Sequence, residues 1–406
     1  MSTQKTGFNR LVGAILLISG TTIGAGILAL PVSTGRAGFV PSILAMLFCW
    51  LYLTYSAFCI LEVNLSLQTK GNLISMAEQT LGKWGKAISW VAYLFLLYAL
   101  NTAYIAVSTS IFQGAIEKVT GYSVAHIFCI LPLLLVFGLL LRQGLKVIDR
   151  INRLLMMGLI IAFVILLSCS LPHVSLEYLQ TSNYRYMVSS LSTIVTAFGF
   201  HIIIPSLVSY LHGSVRELRL AIWIGSGIPL VAYILWQIAI LGVVPTEGPG
   251  SIQQAYLSGW SGTDLLSEIS HFTLTPVIAQ CFALFVILTS FLGVSVSLFD
   301  FLADGLKIEK RSQGKWKLFF FTFVPPLYFA ISYPRAFFSA LEYAGAFGVV
   351  ILLALIPAFM VWRKRYVLHL PSPYEVRGGK LGLLILMAIS FAIIVCEVLL
   401  KMKIVQ

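Results

Sequence analysis

Long apolar runs, each of about 20 residues, recur along nearly the whole chain and are separated by short polar connections. Each run is long enough to cross a hydrocarbon core as a helix, and none shows the strict alternation of a barrel strand. The pattern predicts eleven membrane-spanning helices, over 9–32, 39–66, 87–111, 124–141, 152–171, 187–211, 219–243, 272–299, 316–333, 337–361 and 381–400. The lipid bilayer is thus an obligatory partner, and no connection is long enough to hold a soluble domain.

Composition agrees with this pattern. Of 406 residues 59% are hydrophobic and 10% charged, against roughly 25% charged in an average soluble domain. A net charge of +12 would otherwise suggest nucleic acid, but its placement excludes that. With the N-terminus in the cytoplasm, 21 of the 27 Lys and Arg fall on the cytoplasmic side, while the longest external connection, 244–271, has Glu247, Asp264 and Glu268 and no base. This is the positive-inside bias of a multi-pass membrane protein, and it puts the C-terminus on the outer side. The first run is too long for a signal-peptide core and lacks a cleavage pattern, so it is expected to be retained. The six cysteines form no CxxC pair and are read as apolar fillers. No phosphate-binding GxxxxGK[ST] loop occurs, so neither an ATP-driven machine nor an ATPase subunit is expected. A membrane-embedded enzyme would need clustered His, Cys, Asp or Glu near one face, and a channel would need a repeated filter motif. Neither is present. No metal and no cofactor beyond a coupling cation is expected.

Two runs are interrupted in the middle. The first reads Gly20-Thr21-Thr22-Ile23-Gly24-Ala25-Gly26 and the sixth reads Thr196-Ala197-Phe198-Gly199-Phe200-His201. Backbone that leaves the helical ladder at membrane depth persists only where it lines a cavity. GxG in a membrane helix also permits close helix packing, but paired breaks, one in each half, are the expected mark of an inverted-repeat transporter with substrate at the midplane. Repeat one spans about 9–171, repeat two about 187–361, and 381–400 is an extra helix of the same single membrane domain. Freed N–H groups at a half-helix start suit a substrate carboxylate, and freed carbonyls and hydroxyls suit an ammonium or a cation.

The stretches GTTIGAGILALPVSTGRAGF (Gly20–Phe39) and TAFGFHIIIPSLVSYL (Thr196–Leu211), with LEVN at 61–64, YALNTAYI at 98–105 and TSFLGVSVSLFDFLADGL at 289–306, resemble the bacterial hydroxy- and aromatic-amino-acid permeases, in particular their tyrosine- and tryptophan-specific branch. That resemblance runs over nearly the whole chain. It implies an all-α protein with a LeuT-like core of five plus five helices, broken helices 1 and 6 and one extra helix, taking up an aromatic amino acid with a proton. The GTxIGAG motif is shared with serine and threonine permeases, which leaves these the nearest rival.

Candidate site residues follow. Thr21, Thr22, Gly24, Ala25 and Gly26 at the first break, and Thr196, Phe198, Gly199 and His201 at the second, are expected to contact substrate. Tyr98, Asn101 and Tyr104 lie at spacings of three on one face of span 3, and a ring-shaped substrate needs a flat apolar slot with a polar end. For coupling, Glu62 lies deep in span 2, where a carboxylate is costly unless paired, protonated or hydrated, and His201 titrates in a useful range. Thr289 and Ser290 match a hydroxyl pair that ligates sodium in LeuT-like transporters, so both proton and sodium stay open. Glu342 and Glu397 lie near outer span ends, where snorkelling or water access favours a bland reading.

Overall fold

The computed structural model describes residues 2–402 except 68–70, 123–127, 131, 133, 135–144, 270–273, 310–311 and 334. Among the described residues it is helical with no strand, apart from a single bridge pairing Gly38 with Ser182. Eight helices are long and apolar enough to cross a membrane, or nine when one bent pair is counted as a span. These nine answer nine of the eleven expected spans. A tenth, Ser312–Ser332, is a 21-residue helix that starts with Lys315 and Lys317 in its first turns. The expected span 124–141 lies mostly outside the described residues.

The bent pair is α1 (Ser2–Thr22) and α2 (Gly26–Gly35), which meet at 55°. Then come α3 (Phe39–Ser66), α4 (Leu73–Thr120) and α5 (Leu145–Ser170). Gly82 in α4 has φ 76° and ψ −161°, so an amphipathic first part turns sharply into the membrane-spanning part. The sixth span is split into α6 (Leu191–Ala197) and α7 (Ile204–Tyr210), with a 3₁₀ turn at His201–Ile203 between them.

The remaining elements used below are α8 (Val215–Leu241), α9 (Ile252–Ser258), α10 (Gly262–Ile269), α11 (Thr275–Leu306), α12 (Ser312–Ser332), α13 (Ala336–Tyr343), α14 (Ile356–Tyr366) and α15 (Gly379–Lys401). A π-helical stretch, Ala344–Leu355, joins α13 to α14. The broken helices lie inside the bundle: α1 runs against α8, α2 against α6, and α6 against α13 and the π-helical stretch. Large apolar side chains left exposed, such as Leu16, Leu44, Val91, Ile160 and Leu384, lie on the long helices, as lipid-facing positions should.

Candidate functional site

Both breaks form where the sequence interrupts the apolar runs, and they meet. Ile23 N–H still bonds Ser19 O at 3.0 Å, the chain leaves the helical ladder at Gly24 and Ala25, and α2 restarts with Ile27 N–H bonding Gly24 O at 3.1 Å and Leu28 N–H bonding Ala25 O at 3.1 Å. In the sixth span α6 ends at Ala197, and Phe198 and Gly199 close only tight turns onto Val195 O and Thr196 O. A Cβ added to Gly26 would stand 2.6 Å from the Cβ of Ala197. Ala25, Gly26, Ala197 and Phe198 are all buried.

Three further side chains converge here. Tyr233 of α8 is fully buried, and its hydroxyl lies 2.8 Å from Thr22 O and 3.0 Å from Ala197 O, so it reaches both breaks. The Phe198 ring stands edge-on to the Tyr233 ring at 5.4 Å. On the other side of the first break, a Cβ on Gly24 would lie 3.1 Å from Ser290 Oγ and 3.8 Å from the Tyr104 hydroxyl. Gly24, Ala25, Gly26, Tyr104, Phe198 and Ser290 are thus gathered round one place, with Tyr233 added. One step along, Asn101 Oδ1 accepts from Ser295 Oγ at 2.7 Å while its amide donates to Leu97 O. This ties span 3 to α11.

Other expected residues turn away. Thr21 is exposed, with its hydroxyl bonded back to Leu17 O and Ile18 O, and the buried Thr22 hydroxyl bonds Ile18 O at 2.7 Å. Thr289 likewise donates within its own helix, to Phe285 O and Val286 O. Such back-bonding is the ordinary fate of a helical threonine in an apolar setting. Thr196 Oγ donates to Ser192 O and to Leu341 O on α13, away from the break. Tyr98 does not join Asn101 and Tyr104: it is half-buried and its hydroxyl donates to Phe321 O on α12 at 2.8 Å. Gly199 has only ordinary contacts at 3.4–3.6 Å around an added Cβ, so no close approach demands glycine there.

The two acid–base candidates part company. His201 is fully buried, its Nε2 is 2.9 Å from Leu53 O on α3, and Nδ1 is buried without a partner. Glu62, nine residues further along α3 and therefore about 13 Å away along the helix axis, is saturated. Lys364 Nζ is 3.1 Å from Oε1, Arg365 Nε 2.7 Å from Oε1, Val376 N 2.7 Å from Oε2, and Arg365 bonds Oε2 as well. Glu62 and Lys364 are both 0% exposed. Buried carboxylates persist when paired in this way, and this one fastens the end of α3 to the end of α14. Glu342 and Glu397, expected from sequence to snorkel or meet water near outer span ends, are also buried. Lys401 Nζ lies 2.5 Å from Glu342 and 3.6 Å from Glu397, and Ser192 of α6 donates to Glu397 at 2.7 Å. Among the described residues no group of His, Cys, Asp and Glu could hold a metal ion.

Tyr233 was not singled out by its sequence. It belongs to a neutral polar row on α8 with Ser226 and Gln237. Trp50 Nε1 donates to Ser226 Oγ at 3.0 Å, and Gln237 Nε2 donates to Thr34 Oγ on α2 at 2.7 Å. The spacing of seven and four residues places the three on one helical face, a signal that was present in an otherwise apolar span.

Residues 8–397 match the profile of the tryptophan/tyrosine permease family. The chain is 36% identical to the "Tyrosine-specific transport system 1" of Haemophilus influenzae, covering 95% of this chain and 96% of that one. It is 33% identical to the "Tryptophan-specific transport protein" of the same organism, covering 93% and 94%. Among solved structures, MhsT in complex with L-phenylalanine superposes with a TM-score of 0.63 at 16% identity, over 96% of this chain and 98% of that one. This likeness gives the fold, the LeuT-like transporter architecture. The chain is a multi-pass membrane transporter, not an enzyme, and it belongs to the tryptophan/tyrosine permease family.

Proposed function

We propose that this protein imports an aromatic amino acid, tyrosine or tryptophan, by symport with a proton across a bacterial inner membrane, with its N-terminus in the cytoplasm and its C-terminus outside. The observation that carries the reading is the meeting of the two helix breaks beside three aromatic rings, those of Phe198, Tyr233 and Tyr104. The start of α2 offers freed N–H groups and a positive dipole end to a carboxylate. The carbonyls that end α1 and α6 suit an ammonium group, and the rings suit an aromatic side chain. The names carried by its relatives support tyrosine and tryptophan over serine and threonine.

His201 is our choice for the proton acceptor. With Nε2–H donated to Leu53 O, Nδ1 keeps a lone pair that no described group occupies. Glu62 is dropped from this role because Lys364, Arg365 and the Val376 amide already hold it. One observation favours sodium instead: the Ser290 hydroxyl lies against Gly24, where a cation between the two spans would find an oxygen ligand.

Uptake of labelled tyrosine into proteoliposomes, under a proton gradient and a sodium gradient imposed separately, tests the reading. Accumulation under the proton gradient alone is expected, and His201→Gln should exchange tyrosine across the membrane yet fail to concentrate it. Accumulation that needs sodium and ignores pH would overturn proton coupling and move the coupling site to Ser290.

A further inference from the structure

Tyr233 stands on a continuous helix and touches the last turns of two broken ones. Its hydroxyl is within hydrogen-bond distance of Thr22 O and of Ala197 O, yet a phenol has a single hydrogen to donate. Each carbonyl belongs to the C-terminal end of a half-helix, α1 or α6, where the peptide dipoles sum to about half a negative charge. Two such ends converge on one hydroxyl in a buried setting. The two carbonyls there offer more acceptors than one phenol can serve.

The hydroxyl is also held in place. The Tyr233 ring is 0% exposed and packs edge-on against Phe198. Its neighbours on the same helical face, Ser226 and Gln237, are bonded to Trp50 of α3 and Thr34 of α2. Burial and this packing hold the Tyr233 ring beside both carbonyls.

We propose that the Tyr233 hydroxyl stands in for the substrate's ammonium group in the empty site, and thereby sets how strongly the amino group of an amino acid is recognised. The proposal rests on the reading that an amino acid binds at the paired breaks. An arriving ammonium brings three N–H donors to carbonyls that Tyr233 otherwise serves with one. Without the hydroxyl, the empty site would hold two unsatisfied buried acceptors, a costly state that only a ligand with N–H donors relieves. A molecule with the same ring and carboxylate but no amino group gains nothing from the change. Tyr233 thus keeps the affinity for amino acids moderate, which lets the empty carrier exist and return.

The test compares equilibrium binding of tyrosine and of 3-(4-hydroxyphenyl)propionate, its amine-free analogue, to the purified full-length protein and to Tyr233→Phe. In the unmutated protein tyrosine should bind at least tenfold more tightly than the analogue. Tyr233→Phe should tighten tyrosine by about tenfold, lower KM and Vmax together in uptake, and leave the analogue unchanged. If both ligands shift equally, or tyrosine weakens in the variant, Tyr233 is a packing residue and the proposal falls. Equal binding of the two ligands to the unmutated protein would overturn it without recourse to the variant. Failure of the unmutated protein to bind tyrosine, tryptophan or the analogue would overturn the proposed substrate itself, and with it this inference.

Discussion

The first residue of one half-helix touches the last residue of the other: a Cβ on Gly26 would stand 2.6 Å from the Cβ of Ala197 and 2.9 Å from its Cα. The contact sets how close the two breaks can come. Glycine at 26 is required by that approach, since the atoms it would strike include backbone.

Replacing Gly26 with valine should abolish uptake, by at least a hundredfold, while the protein still inserts and is recovered in the membrane. Gly199→Ala should retain uptake within about twofold, because an added Cβ there meets only ordinary contacts. Uptake normalised to the amount of protein in the membrane checks both. Full activity of Gly26→Val would refute the meeting of the half-helices.

Glu62 separates a structural carboxylate from a coupling one. Removing one partner of a buried, hydrogen-bonded ion pair costs about 3–5 kcal/mol, and here the loss would leave the fully buried Lys364 without its main counter-charge. Glu62→Gln should lower thermal stability in detergent markedly, and adding Lys364→Met should restore part of it. A Glu62→Gln protein that is as stable as the original but loses its proton dependence would return Glu62 to the proton path.

Phe198 should govern selectivity. Its ring is fully buried between the break and Tyr233, and burying a large apolar side chain is worth roughly 1.5–3 kcal/mol. Phe198→Ala should weaken uptake of tyrosine and tryptophan about tenfold or more, each 1.4 kcal/mol being a factor of ten, and leave any serine or alanine uptake nearly unchanged. An equal loss for all substrates would assign Phe198 to packing alone.

The pattern of apolar runs and their interruptions made the broken helices legible, because glycine-containing interruptions fall at matching places in the two halves, which helix packing alone does not require. Helical spacing put Asn101 and Tyr104 on one face of span 3, but that the face meets Gly24 and α11 is visible only in the fold. Tyr98 failed because spacing fixes a side chain's starting direction, whereas its long ring reaches round to Phe321 O on a neighbouring helix. The hydroxyls of Thr21, Thr22 and Thr289 bond their own helices, as a threonine in an apolar span can always do, and it is the Thr22 carbonyl rather than its hydroxyl that faces the second break through Tyr233. The partners of Glu62 lie about 300 residues away in sequence, at Lys364 and Arg365, so no local pattern could pair them. Tyr233 escaped notice because the row it forms with Ser226 and Gln237 marks only a polar face, and what its hydroxyl meets, Thr22 O and Ala197 O, is brought to it by the fold.

Competition against labelled tyrosine in proteoliposomes, driven by an inward proton gradient and challenged in turn with unlabelled tyrosine, tryptophan, phenylalanine, serine and threonine, tests the central claim most directly. Tyrosine or tryptophan should displace the label at concentrations at least tenfold lower than serine or threonine. If serine or threonine competes best, the ring-lined site between the two breaks does not select aromatic substrates, and the assignment to aromatic amino acid import is wrong.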